Sequence, residues 1–253
     1  MTMSLESITL ADLIAMDNTF TSRCQIRKEL VQKERHEVLA CNATAIPAVL
    51  ELYDWLTEKY LSARFPSVYT KTGTGLRNNI TGDVMPLHTS NAEDALRLMG
   101  ENIDDEFLIL LPSQQEEDEG KYRLEAFINC FPSGFNTRAK LGHLLAHIHR
   151  PVPGYAQKLE KSMDRFFANM PVGKVIKRAN WSISTNGDLF CLAGNHMAED
   201  DFNSGQEKEE EEEIDLSKTV LRCERQTLHR LPKTRALVFA FVRCMALSCR
   251  GEG

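Results

Sequence analysis

The chain has 253 residues, 30 basic and 36 acidic side chains, a net charge of −6, and 42% hydrophobic against 26% charged residues. That is ordinary globular material, long enough for one large domain or two small ones, and neither disordered nor membrane-embedded. No run of about 18 apolar residues occurs, so a spanning helix is not expected. The acidic start also lacks the basic and apolar stretches of a secretory signal.

Much of the acidity is local. Residues 199–215 hold ten acids and a single base, Lys208. That stretch carries −9 and leaves +3 for the rest of the chain. Such a run reads as a solvated, poorly ordered insertion or as a docking site for a basic partner. No basic stripe interleaved with aromatics is visible, so neither nucleic acid nor membrane is expected as a partner. The seven cysteines are scattered without a CxxC pair, which disfavours zinc ribbons and dithiol redox sites. Reduced thiols and a cytoplasmic location are the economical expectation.

In chain order, residues 23–39 place Ile26, Leu30, Val31 and Val38 at helical spacing, with charges opposite. Residues 47–60 repeat the pattern, with Pro47 suited to a first turn. Residues 69–88 show no period and hold three glycines, so they read as loop. Residues 91–99 predict a short helix capped by Asn91. Residues 107–111 and 122–131 flank a polar turn and predict an antiparallel pair. Helical segments are expected at 137–149 and 153–170. Residues 180–184 and 189–193 flank Asn186-Gly187, a tight-hairpin signal. A last antiparallel pair is expected at 219–228 and 236–244. Helices followed by a meander of about six strands, with helical interruptions, argue for an α+β fold around an antiparallel sheet.

No Ser-His-Asp order, HExxH, Walker A or GxGxxG motif is present, so hydrolase, zinc-protease and nucleotide readings have no motif behind them. His143, His147 and His149 crowd one segment. The first two are spaced i, i+4, as on a metal-binding helix face, but no Glu stands where a zincin needs one. His149 precedes Pro151 and Pro153, which hold the chain extended, and an imidazole at such a corner could serve as an axial haem ligand. On spacing alone, a surface or core place explains any one of these histidines as well. On a strand, Arg222, Glu224 and Gln226 would share one face, and Cys223, Arg225 and Thr227 the other. Their charges need partners if buried, either internal ion pairs or anionic groups such as haem propionates.

The stretches Phe131-Pro-Ser-Gly-Phe135, Leu145-Ala-His-Ile-His149-Arg-Pro-Val-Pro-Gly-Tyr155, Asp164-Arg-Phe-Phe167, Arg178-Ala-Asn-Trp181, Gly187-Asp-Leu189 and Arg222-Cys-Glu-Arg-Gln-Thr-Leu228, with Arg230-Leu-Pro232, together resemble the alpha-subunit family of haem-dependent oxidative N-demethylases. Arg27-Lys-Glu-Leu30 and Ala63-Arg-Phe-Pro-Ser67 are similar too, so the resemblance spans nearly the whole chain in order. Its fungal members are often called HRQ-family proteins. The resemblance implies a single domain over 1–253, with a helical arm (1–66) packed on a PAS-like antiparallel sheet (67–253) that holds haem b and carries the acidic loop. It implies an oxidoreductase of monooxygenase type, which uses electrons from a flavin and iron–sulfur reductase to activate O2 and demethylate a small methylated amine, releasing formaldehyde. By residue, it implies His149 as the iron ligand, Arg225 and Trp181 at the cofactor, and Glu224, Arg178 and Tyr155 as catalytic. A non-catalytic PAS-like sensor of haem or another small ligand, or a scaffold without cofactor, stays open as an alternative.

Overall fold

The computed structural model describes residues 5–132, 134–150, 152, 154–184, 187–192 and 220–247. The acidic stretch 199–215 and the Asn186 turn fall outside them. The chain opens with a short strand, β1 (Glu6–Ile8), and then α1 (Phe20–Lys33), α2 (Arg35–Val38) and β2 (Leu39–Cys41). The helix predicted over 23–39 therefore stops early, because Leu39 already pairs in a sheet. Of the predicted apolar face, Val31 and Val38 are buried and Ile26 is exposed, and two arginines, Arg23 and Arg27, are buried beside Phe20 and Cys24.

The second predicted helix continues without a break. α3 (Ile46–Trp55) runs through a π-helical turn (Leu56–Tyr60) into α4 (Leu61–Arg64), with Pro47 in the first turn. The Thr57 hydroxyl donates to the Leu87 carbonyl and back onto the Tyr53 carbonyl, within that wider turn.

Residues 69–88, expected to be loop, instead build a small sheet: β3 (Tyr69–Thr72), β4 (Gly75–Asn78) and β5 (Val84–Met85) in order. Gly75 makes it feasible, since a Cβ there would lie 2.2 Å from the Met85 carbonyl oxygen. α5 (Ala92–Asn102) starts where predicted, with the Asn91 side chain accepting from the backbone N–H groups of Glu93 and Asp94. Caps of this kind contribute about 1 kcal/mol.

The main sheet follows. β6 (Glu106–Pro112) and β7 (Tyr122–Ile128) form the first expected pair. The helical stretch expected at 137–149 is reduced to a 3-10 turn and α6 (Leu145–Ile148). The next is split into α7 (Tyr155–Lys158) and α8 (Glu160–Asn169). β8 (Val175–Ser184) does not hairpin with residues 189–192, which form no strand. It pairs over its whole length with β9 (Val220–Arg230). β9 pairs in turn with β10 (Leu237–Leu247), as expected. The seven-stranded antiparallel sheet has the order β1-β8-β9-β10-β6-β7-β2. The chain is α+β, as its pattern of elements predicted, and the segment before residue 67 supplies both edge strands of the sheet.

Each face of the sheet carries its own core. On one, α1, α3 and α5 bring Cys24, Leu52, Leu56, Leu96 and Met99 against Phe107, Ile109 and Val238. On the other, Leu145, Ile148 and Phe167 from the interrupting helices cover Leu108, Leu124, Ile176, Leu228 and Phe241. Among the described residues, no helix is long and apolar enough to cross a membrane.

Candidate functional site

The candidate site is on the second face, where short helices α6 to α8 lie over β8, β9 and β10. The unbroken register across these strands sets three rows: Ile176–Leu228–Phe239, Arg178–Gln226–Phe241 and Asn180–Glu224–Arg243. The first row is apolar, and polarity rises along the face toward Glu224.

His149 ends α6, immediately after Leu145 and Ile148 anchor that turn to the core. Its Nδ1 lies 2.8 Å from the Leu145 carbonyl oxygen. A carbonyl only accepts, so Nδ1 carries the proton and Nε2 keeps its lone pair. The ring stacks on Tyr155 with centroids 4.8 Å apart and planes 10° from parallel. Burial lowers the His149 pKa; the Leu145 hydrogen bond opposes this, and the charges of Lys140 and Arg178 add to the lowering. The imidazole is thus neutral, oriented and open at one nitrogen, the state in which histidine ligates metals.

Tyr155 is 3% exposed, its hydroxyl has no hydrogen-bond partner, and burial pushes its pKa up to about 12. Arg178 is half-buried. Its Nε has no partner, and among the described residues its only hydrogen bond is a long one, 3.5 Å, to the Asn180 side chain. Glu224 is partnered: Oε1 accepts from Arg243 at 2.8 and 3.2 Å, and Oε2 accepts from Gln226 at 2.9 Å. Arg243 is itself buried and donates to the Phe131 carbonyl.

The remaining two residues named from sequence lie elsewhere. Arg225 is on the opposite face, where its guanidinium donates to the carbonyls of Asp12 and Leu13 and ties the amino-terminal segment to β9. Trp181 is on that same opposite face by strand alternation and is 67% exposed. The structure therefore stacks His149 on Tyr155, brings the charge of Arg178 to bear on that ring, and puts Arg178 and Glu224 on one face of the sheet with Arg225 and Trp181 on the other. His143 and His147 stand with rings 6.2 Å apart, but His143 precedes the helix. Among the described residues, no group of three or more His, Cys, Asp or Glu is placed to hold a metal ion. The buried thiols Cys24 and Cys130 are pushed up to about 12, which makes them inert.

Sequence reading missed Arg243 and Lys140, and gave Gln226 only a place on the strand face of Glu224. The first was readable: once the turn at 231–236 is recognised, the hairpin register puts Arg243 opposite Glu224. Two surface clefts of about 410 and 460 Å³ lie apart from the site. One is lined around Asp83, Arg97 and Glu101, the other around Arg165, Phe166 and Lys174.

Haem fits the residues present. One neutral imidazole with a pinned Nδ1 would hold the iron through its other nitrogen, Arg178 and Lys140, which have no carboxylate partner among the described residues, would offer positive charge to propionates, and the Tyr155 hydroxyl beside that imidazole is buried without a partner. The curated proteins contain no match to the chain. A family profile described as haem-dependent oxidative N-demethylase, alpha subunit-like, matches residues 4–250, nearly the whole chain. The chain belongs to the haem-dependent oxidative N-demethylase, alpha subunit-like, family.

Proposed function

We propose that the chain is the haem-carrying, oxygen-activating subunit of an oxidative N-demethylase that acts on a small methylated amine. The observation that carries this reading is His149: neutral, fixed through Nδ1, stacked on Tyr155 and free at Nε2, on the face that also holds Arg178 and Glu224. Family membership supports it. Haem b, when bound, supplies the activation of O2 and the oxidation of the methyl carbon.

The chain's own residues do the rest. His149 ligates the iron, and the Leu145 carbonyl holds its tautomer and orientation. Glu224 attracts the substrate ammonium, and the Arg243 and Gln226 bonds keep its carboxylate from swinging away. Arg178 presents a permanent charge and planar N–H donors that stabilise negative charge developing nearby in a low-dielectric space. The Tyr155 hydroxyl, with no internal partner, is available to hold or pass a proton. Electrons come from a partner of the flavin and iron–sulfur reductase class, consistent with a family described as an alpha subunit. The amine oxidised at its methyl carbon then breaks down to formaldehyde and the shorter amine.

The test is formaldehyde release from haem-loaded chain supplied with a reductant, O2 and a panel of methylated amines. Arg178→Lys should lower turnover per bound haem by about two orders of magnitude. Glu224→Gln should do likewise, and should also cost stability because Arg243 is left buried without its counter-charge. Near-normal turnover in both variants would remove these roles and favour a non-catalytic haem sensor.

A further inference from the structure

Lys140 lies in the 3-10 turn that precedes α6, and its ammonium sits 3.1 Å from the centroid of the Phe135 ring. The side chain is only partly exposed, and among the described residues no carboxylate pairs with it. Lys28, Lys121 and Lys177, comparably withdrawn from water, each meet an acid: Asp83, Asp118 and Glu6. An ammonium taken out of water needs a counter-charge, because an aromatic face offers attraction without neutralising it. Burial pushes the Lys140 pKa down to about 8, the sign of a cation whose charge the fold does not compensate. Phe135 and the adjoining Leu141 pack against the same core that Leu145 and Ile148 of the His149 turn enter, so Lys140 lies on the face that carries the candidate ligand. The acid on this part of the sheet, Glu224, is already held by Arg243 and Gln226.

We propose that Lys140 is the seat of a carboxylate of the bound cofactor, a propionate at the edge of the macrocycle whose iron His149 holds. Phe135 keeps the ammonium in place from beneath, so the lysine arrives pre-oriented and the cofactor's anion completes a site the fold leaves electrically open. Lys140 is thus a positioning residue: it fixes the macrocycle's rotation about the His149 bond and leaves Arg178 to the chemistry. This inference rests on the haem reading above.

The experiment is haem titration of the purified full chain, followed at the Soret band, with native haem and with its dimethyl ester, whose propionates carry no charge. Wild type should bind native haem at least tenfold more tightly than the ester, the size expected for one charge-assisted hydrogen bond. Lys140→Met should lose about tenfold for native haem and little for the ester, and Lys140→Arg should restore most of the native affinity. Circular dichroism of each variant establishes that it is folded. Equal affinities of wild type and Lys140→Met for native haem would overturn the seat while leaving haem binding intact. Absence of any Soret band in wild type would overturn the haem reading itself, and the seat with it.

Discussion

His229 stands on β9 on the side that faces α3, with its ring 6.0 Å from that of Trp55 and both ring nitrogens buried without partners. Burial pushes its pKa down to about 4 from an ordinary 6.5. The folded protein keeps it neutral while the unfolded chain protonates below 6.5, so its contribution to stability is intact above that pH and lost as pH falls toward 4. Asp104, pushed up to about 6 mainly by burial, works with the opposite sign: the folded state retains its proton, and stability rises as pH drops below 6. The two overlap in the wild-type curve, so the prediction concerns a difference. His229→Leu keeps an apolar side chain of similar size and removes the titration. Chemical denaturation at pH 7 and pH 4 should show the wild type losing about 3 kcal/mol relative to the variant. Parallel curves would mean that His229 is reached by water in the folded state.

The contact between α1 and β6 shows what the apolar period left out of a helix face. Arg27 is fully buried. It donates to the Gly100 and Asp105 carbonyls and to both oxygens of Glu106, one at 2.5 Å. Glu106 also accepts from the Cys130 N–H, so one ion pair joins α1, α5, β6 and the chain after β7. Arg27→Met should cost about 3–5 kcal/mol, because it strands a buried carboxylate. Adding Glu106→Leu should recover part of that loss in the denaturation midpoint, and strictly additive losses would show that the two side chains are not coupled. Elements were legible where the signal was local and repeated. The Asn91 cap, the pair β6–β7 and the pair β9–β10 all announce themselves through a polar turn or cap beside an apolar run. The small sheet β3–β5 was not legible, because strands of two to four residues are too short to show alternation. The partner of β8 was misread because Asn186-Gly187 is a short-range signal. Ten residue pairs with a strand that begins at Val220 outweigh it.

For the molecule as a whole, two cores on opposite faces of one sheet divide the labour. The face under α1, α3 and α5 is given mainly to packing; it also buries the unpartnered His229 ring, and Arg225 serves there by binding the Asp12 and Leu13 carbonyls. The face under α6 to α8 keeps unpartnered polar atoms on Tyr155 and Arg178 within an otherwise apolar cover. Alternation along β9 already divided the two sets in the sequence, and the proline-flanked corner already singled out His149. Lys140 was invisible there, because its meaning depends on burial and on the absence of a nearby acid, which only the tertiary structure decides. The assignment of His149 as the haem ligand is the central claim, and the absorption spectrum of the purified chain after haem loading tests it most directly. A Soret band should appear in the wild type, persist nearly unchanged in His143→Ala, and vanish or shift strongly in His149→Ala. An unaltered spectrum in His149→Ala would contradict the account.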